Sequence, residues 1–159
     1  MRIEQGWLLL FQRAIMKSVK MNQITNYRLW VGHAADGRDT QGILARDIRA
    51  IVQLAVEEPP IRLPRDMAYL RIPLVDGDGN DEALLRLAID AVAALVEAQI
   101  PTLVCCGGGM SRSPAIVAAA ISRVEGADLH ECLQAVTESH PSDVSAALWD
   151  EISRALTAS

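Results

Sequence analysis

Apolar residues along the chain fall into short blocks separated by charge, glycine or proline, and the period inside each block predicts its element. Arg28 to Val31 reads as a strand that ends in a turn at Gly32. Asp39 to Asp47 predicts a short helix. Ile48 to Val56, rich in β-branched and aliphatic residues, predicts a second strand, stopped by Glu57, Glu58, Pro59 and Pro60; the Pro-rich piece to Pro64 is loop. Ala68 to Val75 predicts a third strand, followed by the dense turn signal Asp76-Gly77-Asp78-Gly79-Asn80. Asp81 then caps a helix with Leu84, Leu85, Ala88, Val92, Leu95 and Val96 at helical spacing, ending near Gln99. Pro101 to Cys105 is a short apolar strand of the kind buried on both faces. Three glycines, Gly107 to Gly109, lead into a helix from about Arg112 to Val124, and Gly126 punctuates it. Leu129 to Ser139 and Val144 to Leu156 predict two more helices, separated by His140-Pro141.

Strands alternating with helices imply an α/β fold, here a central, mostly parallel sheet of four to five strands flanked by helices. In such sheets ligands bind beyond the carboxyl ends of the strands. Both polar segments of chemical interest, Asp76 to Asn80 and Cys106 to Ser113, leave strand carboxyl ends. A length of 159 residues fits one domain with a substantial core, taken as residues 23–159. Residues 1–22 read as an N-terminal extension or a peripheral helix. Their apolar run, Trp7 to Phe11, is too short to span a membrane. Glu4 interrupts the region before that run and no small-residue cleavage site follows, so no secretory signal is expected. Met16 and Met21 are alternative starts.

Composition narrows the functional classes. The net charge of −5 argues against a general nucleic-acid binder, yet leaves room for a local anion pocket, which one arginine and a few backbone N–H groups can make. With 4% aromatics, Leu, Ile, Val and Ala must build the core. The cysteines Cys105, Cys106 and Cys132 are odd in number and irregular in spacing, which points to a reducing, cytoplasmic setting and a reactive thiol instead of a disulfide framework. No Cys/His cluster has zinc spacing.

The chemistry concentrates in Leu103-Val104-Cys105-Cys106-Gly107-Gly108-Gly109-Met110-Ser111-Arg112-Ser113-Pro114. A buried strand delivers Cys106 to a glycine turn, and a helix starts immediately after. The unpaired N–H groups and partial positive charge of a helix start favour a thiolate. Glycines let the backbone curl into an anion nest, and Arg112 adds a planar fork for phosphate oxygens. Ser113 is placed to hydrogen-bond the sulfur when it leaves. The plain alternative is a buried strand-end cysteine before a flexible turn.

The spacing C-x5-R-S resembles the signature loop of the protein tyrosine phosphatase superfamily, and Gly109-Met110-Ser111-Arg112-Ser113 is most similar to its dual-specificity branch. Ile72-Pro73-Leu74-Val75-Asp76 resembles the segment that carries the general acid in that branch, about 30 residues before the nucleophile. Leu29-Trp30-Val31-Gly32 resembles the fold's first strand. The resemblance implies Cys106 as nucleophile and Asp76 as general acid. It implies Arg112 with the N–H groups of Gly107, Gly108, Gly109, Met110 and Ser111 as the phosphate cradle, and Ser113 as an aid to thiolate departure. It also implies no cofactor or metal, and a phosphorylated protein or another phosphomonoester as substrate. Neither a nucleic-acid nor a membrane partner is expected. The chain departs from the family pattern at Cys105, where a histidine that orients the loop normally precedes the nucleophile.

Alternatives remain at this stage. Asp78 competes with Asp76 as the acid. A weakened or inactive phosphate-binding relative and a rhodanese-like sulfurtransferase compete with the phosphatase, although a sulfurtransferase loop is typically one residue shorter and gives Asp76 no task. Asp76-x-Asp78-x-Asn80 opens like a calcium loop, but Asp81 stands at the sixth position and Leu87 at the twelfth. The glycine run lacks the Lys-Ser/Thr pair of a Walker loop. His33, His130 and His140 read as surface or cap residues, Cys132 as core, and Trp149 with Ile152 and Leu156 as packing.

Overall fold

The computed structural model describes residues 20–158. The apolar run Trp7 to Phe11 and most of the expected extension lie outside the described residues. Five strands form one sheet: β1 (Asn22–Gln23), β2 (Leu29–His33), β3 (Ala50–Ala55), β4 (Ala68–Leu74) and β5 (Thr102–Cys106), in the order β1-β2-β5-β3-β4. Only β1 runs antiparallel, against β2; the other neighbours are parallel. Met21 is buried and Asn22 opens β1.

Side chains alternate between the faces of a strand, and this sequence uses both faces. Val104 and Cys106 of β5, Leu29 and Val31 of β2, and Val52 and Leu54 of β3 point into one core. Helices α3 (Glu82–Glu97), α4 (Arg112–Glu125), α5 (Leu129–Ser139) and α6 (Ala146–Thr157) cover it. Leu103, Cys105, Trp30 and Ile51 face a second, smaller core with Ile43, Ile48 and Ile61. Ile43 comes from α2 (Thr40–Ala45), which follows the one-turn helix α1 (Ala34–Arg38). Burial on both faces explains why β3 and β5 are almost wholly apolar with every residue buried; the polar members, Gln53 and Thr102, have their side chains hydrogen-bonded to the Pro59 and Ile100 carbonyls.

Helix α4 lies centrally among the helices, and Arg112 through Ser122 are all buried. A helix buried all round has no polar face to spare, and its alanines at 115, 118, 119 and 120 let α3 and α5 approach closely. The expected stops hold. The Asp81 side chain accepts from Ala83 N at 2.8 Å, and Gly126 ends α4 with φ +66°. Three local expectations change. β2 runs on through Gly32 to His33, because the strand keeps pairing as far as Cys106 of β5. Helix α1 forms through a reciprocal cap: Asp36 N donates to His33 Nδ1, and His33 N donates to the Asp36 carboxylate. β1 adds an edge strand too short to leave a sequence period.

Candidate active site

The carboxyl ends of β2, β3, β4 and β5 meet on one side of the sheet, with His33 and Cys106 in register there. Cys106 is the last residue of β5 and is buried. The Gly109 N–H donates to its sulfur at 3.2 Å. Ser111 sits at the N-cap of α4 but its hydroxyl does not cap the helix. It donates instead to Asp76 Oδ1 at 2.6 Å and accepts from Ser145 N at 3.0 Å. The start of α4 therefore lacks a side-chain cap from Ser111, and its partial positive charge lies beside the thiol.

The glycines differ in what they must do. Gly109 has φ +71°, and a Cβ there would come within 2.8 Å of the Gly32 carbonyl group. A Cβ at Gly107 would lie 2.7 Å from Glu57 Oε1 and 3.1 Å from Arg112 Nη2. A Cβ at Gly108 would meet nothing within 4 Å.

Arg112 is almost fully buried, and its five N–H donors can be accounted for. Nη1 donates to Glu57 Oε2 at 2.6 Å and to the Leu74 carbonyl at 2.9 Å, while Nη2 donates to Glu57 Oε1. Nε is buried without a partner. What remains is Nε–H and the second N–H of Nη2, which lie side by side on one edge of the guanidinium. That edge is the donor pair a tetrahedral oxyanion takes. The sequence reading offered the whole fork to phosphate. Glu57 occupies its end, because a buried guanidinium needs a counter-charge even without substrate. The hydrogen bond from Arg112 holds the Glu57 carboxyl below the usual carboxylate range. Ser113 is fully buried and its hydroxyl has no partner. Met110 is half-buried.

Asp76 and Asp78 are both exposed, and Asp76 is tied to the loop through Ser111. The turn that carries Asp76 is itself held. Asn80 Oδ1 accepts from Val75 N at 2.7 Å, and Glu151 of α6 accepts from Gly79 N at 2.6 Å and from Asn80 Nδ2 at 3.0 Å.

Cys105 points to the opposite face of β5 from Cys106 and packs in the smaller core. Burial pushes its thiol up to about 12. It fills an apolar site among Trp30, Leu103 and Ile61, and its side chain points away from the loop. His33 caps α1, Cys132 is core, and Trp149 packs with Ile152 and Leu156, all as expected. His140 ends α5 as its C-cap, but it is fully buried instead of lying at the surface. Its Nε2 lies 2.7 Å from the Gly109 carbonyl and its Nδ1 lies 2.9 Å from Asn22 Nδ2. Among the described residues, no group of three or more His, Cys, Asp or Glu could hold a metal ion.

Sequence reasoning missed Glu57, Glu151 and His140. For Glu57 a usable signal existed: an acidic residue directly after a buried strand lies at the sheet edge where the loop arginine arrives. For the other two, the partners are distant backbone groups that leave no trace in composition or period.

No protein-family model matches the chain. Mouse dual specificity phosphatase 28 is 29% identical over 117 residues, covering 71% of this chain and 69% of that protein. A mouse dual specificity phosphatase crystallised with zinc tungstate superposes with a TM-score of 0.76 at 25% identity, covering 87% of each chain. In sequence and in fold the chain is similar to dual-specificity members of the protein tyrosine phosphatase superfamily. Its fold is also shared by DUSP15, with a TM-score of 0.76 at 22% identity over 89% of this chain and 90% of that one.

Proposed function

We propose that the chain hydrolyses phosphomonoesters of proteins, on phosphotyrosine, phosphoserine or phosphothreonine, through a phosphocysteine on Cys106. The observation that carries this reading is the buried Arg112, clamped by Glu57 and the Leu74 carbonyl so that one two-donor edge is left open. The Cys106 thiolate attacks phosphorus, and the bond from phosphorus to the ester oxygen breaks. Asp76, held to the loop by Ser111, gives its proton to that oxygen. Arg112 and the loop N–H groups stabilise the charge on the equatorial oxygens. Water then attacks the phosphocysteine, Asp76 takes the water's proton, and the sulfur leaves as thiolate with the Ser113 hydroxyl placed to assist. The products are the free hydroxyl and inorganic phosphate. The tungstate of the mouse relative is a tetrahedral oxyanion like phosphate, which supports an anion site of this kind. A reducing compartment, for which we take the cytoplasm, suits the three free thiols. No described helix is long and apolar enough to cross a membrane.

The test is hydrolysis of a small aryl phosphate by wild type and Cys106→Ser. Expected is turnover in wild type, none in Cys106→Ser, and retained binding of inorganic phosphate by the serine variant. Equal turnover in both would remove Cys106 from the chemistry.

A further inference from the structure

Behind the loop, on the side away from the nucleophile, the segment from His140 to Ser145 binds three consecutive loop residues. His140 Nε2 meets the Gly109 carbonyl at 2.7 Å, Asp143 N meets the Met110 carbonyl at 2.7 Å, and Ser145 N meets Ser111 Oγ at 3.0 Å. A trans peptide places its C=O and the following N–H on opposite sides. Holding the Gly109 carbonyl outward therefore turns the Met110 N–H inward, and holding the Met110 carbonyl outward turns the Ser111 N–H inward. The segment dictates which way the cradle's donors face.

His140 is the side chain in this arrangement. A carbonyl only accepts, so Nε2 carries the proton; the Asn22 amide nitrogen only donates, so Nδ1 is bare. Asn22 thus fixes the tautomer that the loop needs. Burial holds the imidazole below its ordinary value; the hydrogen bond to the Gly109 carbonyl and the charge of Asp36 act in the opposite sense, and His33 in the same one. A donor on the Gly109 carbonyl also polarises that peptide and strengthens its Met110 N–H toward an anion.

We infer that His140 is a positioning residue for the phosphate cradle: it aims and strengthens the Met110 N–H, and does from behind the loop what Cys105 cannot do. The inference rests on the reading of Cys106 as a phosphate-handling nucleophile, and its test is separable from that reading. The full chain is compared with His140→Phe, which fills the space without a donor, and His140→Gln, whose amide N–H can still reach the carbonyl. Two properties are measured without turnover: the pH dependence of Cys106 alkylation by iodoacetate, and protection of Cys106 by inorganic phosphate. Thermal unfolding is followed in parallel. One charge-assisted hydrogen bond corresponds to about a tenfold effect. His140→Phe should therefore alkylate about tenfold more slowly near pH 6.5 and should need about tenfold more phosphate for protection. His140→Gln should recover most of both.

Wild-type alkylation and protection in a folded His140→Phe would overturn the inference. Equal losses in both variants would also do so, since the imidazole would then act only as filler. If His140→Phe does not fold, Asn22→Ala, which frees the tautomer, must show the same changes at about threefold; no change there refutes the inference. Should wild type lack aryl phosphatase turnover while these results hold, the catalytic reading falls and the positioning role stands.

Discussion

Substituting alanine in turn for the three loop glycines should give graded effects, although their sequence environments are alike. At Gly109 the backbone is left-handed, which costs an L residue about 1–2 kcal/mol. The new Cβ would also lie 2.8 Å from the Gly32 carbonyl, where ordinary contact begins near 3.4 Å, and both neighbours are backbone. The loop must therefore shift by roughly 0.6 Å, with a packing penalty of about 1–3 kcal/mol. A displacement approaching 1 Å can cost about 10²-fold in rate. Gly109→Ala should therefore lose about 30- to 100-fold in kcat/KM on an aryl phosphate. At Gly107 the obstacles are the ends of Glu57 and Arg112, and Glu57 is half-exposed and free to retreat. About a three- to tenfold loss is expected there, on the scale of one weakened charge-assisted hydrogen bond. At Gly108 nothing obstructs the Cβ, and activity should stay within about twofold, as for a surface change away from any special feature. Steady-state kinetics with thermal unfolding on each variant reads the series. Gly108→Ala as damaging as Gly109→Ala would refute the reasoning, because it would show that loop entropy, and not close approach, governs the site.

Other outcomes follow from the same contacts. Glu57→Gln should lower kcat/KM by about tenfold and weaken inhibition by inorganic phosphate, since an amide replaces one acceptor and the negative charge facing Arg112; unchanged phosphate inhibition would mean the arginine holds its pose alone. Asp76→Asn should lose ~10²–10⁴-fold with a poor leaving group and far less with a good one, and the same dependence for Asp78→Asn instead would move the acid by two residues. Glu151→Gln should show a milder loss, about threefold, confined to poor leaving groups, because it loosens the turn that carries Asp76; equal losses across leaving groups would make it a general stability effect. Burial keeps the Cys105 thiol protonated until the pH nears about 12, so iodoacetamide at pH 8 should label Cys106 and spare Cys105, as peptide mass analysis would show.

The sequence carried the architecture because the core is written in blocks. The apolar runs of β3 and β5 and the helical spacing behind Asp81 fall where the elements form, and Leu129–Ser139 matches at both ends. Polar elements were less legible. β1 is two polar residues that exist only by pairing with β2, and α1 is one turn held by a histidine cap. At the site, the meeting of Cys106, Arg112 and Asp76 around one loop was legible from the strand-glycine-helix pattern and from the resemblance of the C-x5-R-S segment to a known loop. The supports were not. Glu57 looked like one more charge in a proline-rich loop, and His140 like a helix-end polar residue before Pro141, because what matters about each is a partner about 30 or more residues away. Cys105 shows the converse: its neighbour in sequence is on the other side of the sheet in space.

The segment behind the loop also has a consequence for biosynthesis. Ribosomes deliver a chain from its amino end, and Cys106 emerges well before His140, Asp143 and Ser145. Until that later stretch is made and docked, the contacts that hold the Gly109 and Met110 carbonyls and the Ser111 hydroxyl are missing. The loop's shape is thus completed late in synthesis, when the segment from His140 to Ser145 docks behind it. A molecule cut before His140 carries every residue of the loop yet lacks the contacts that set the direction of its amides.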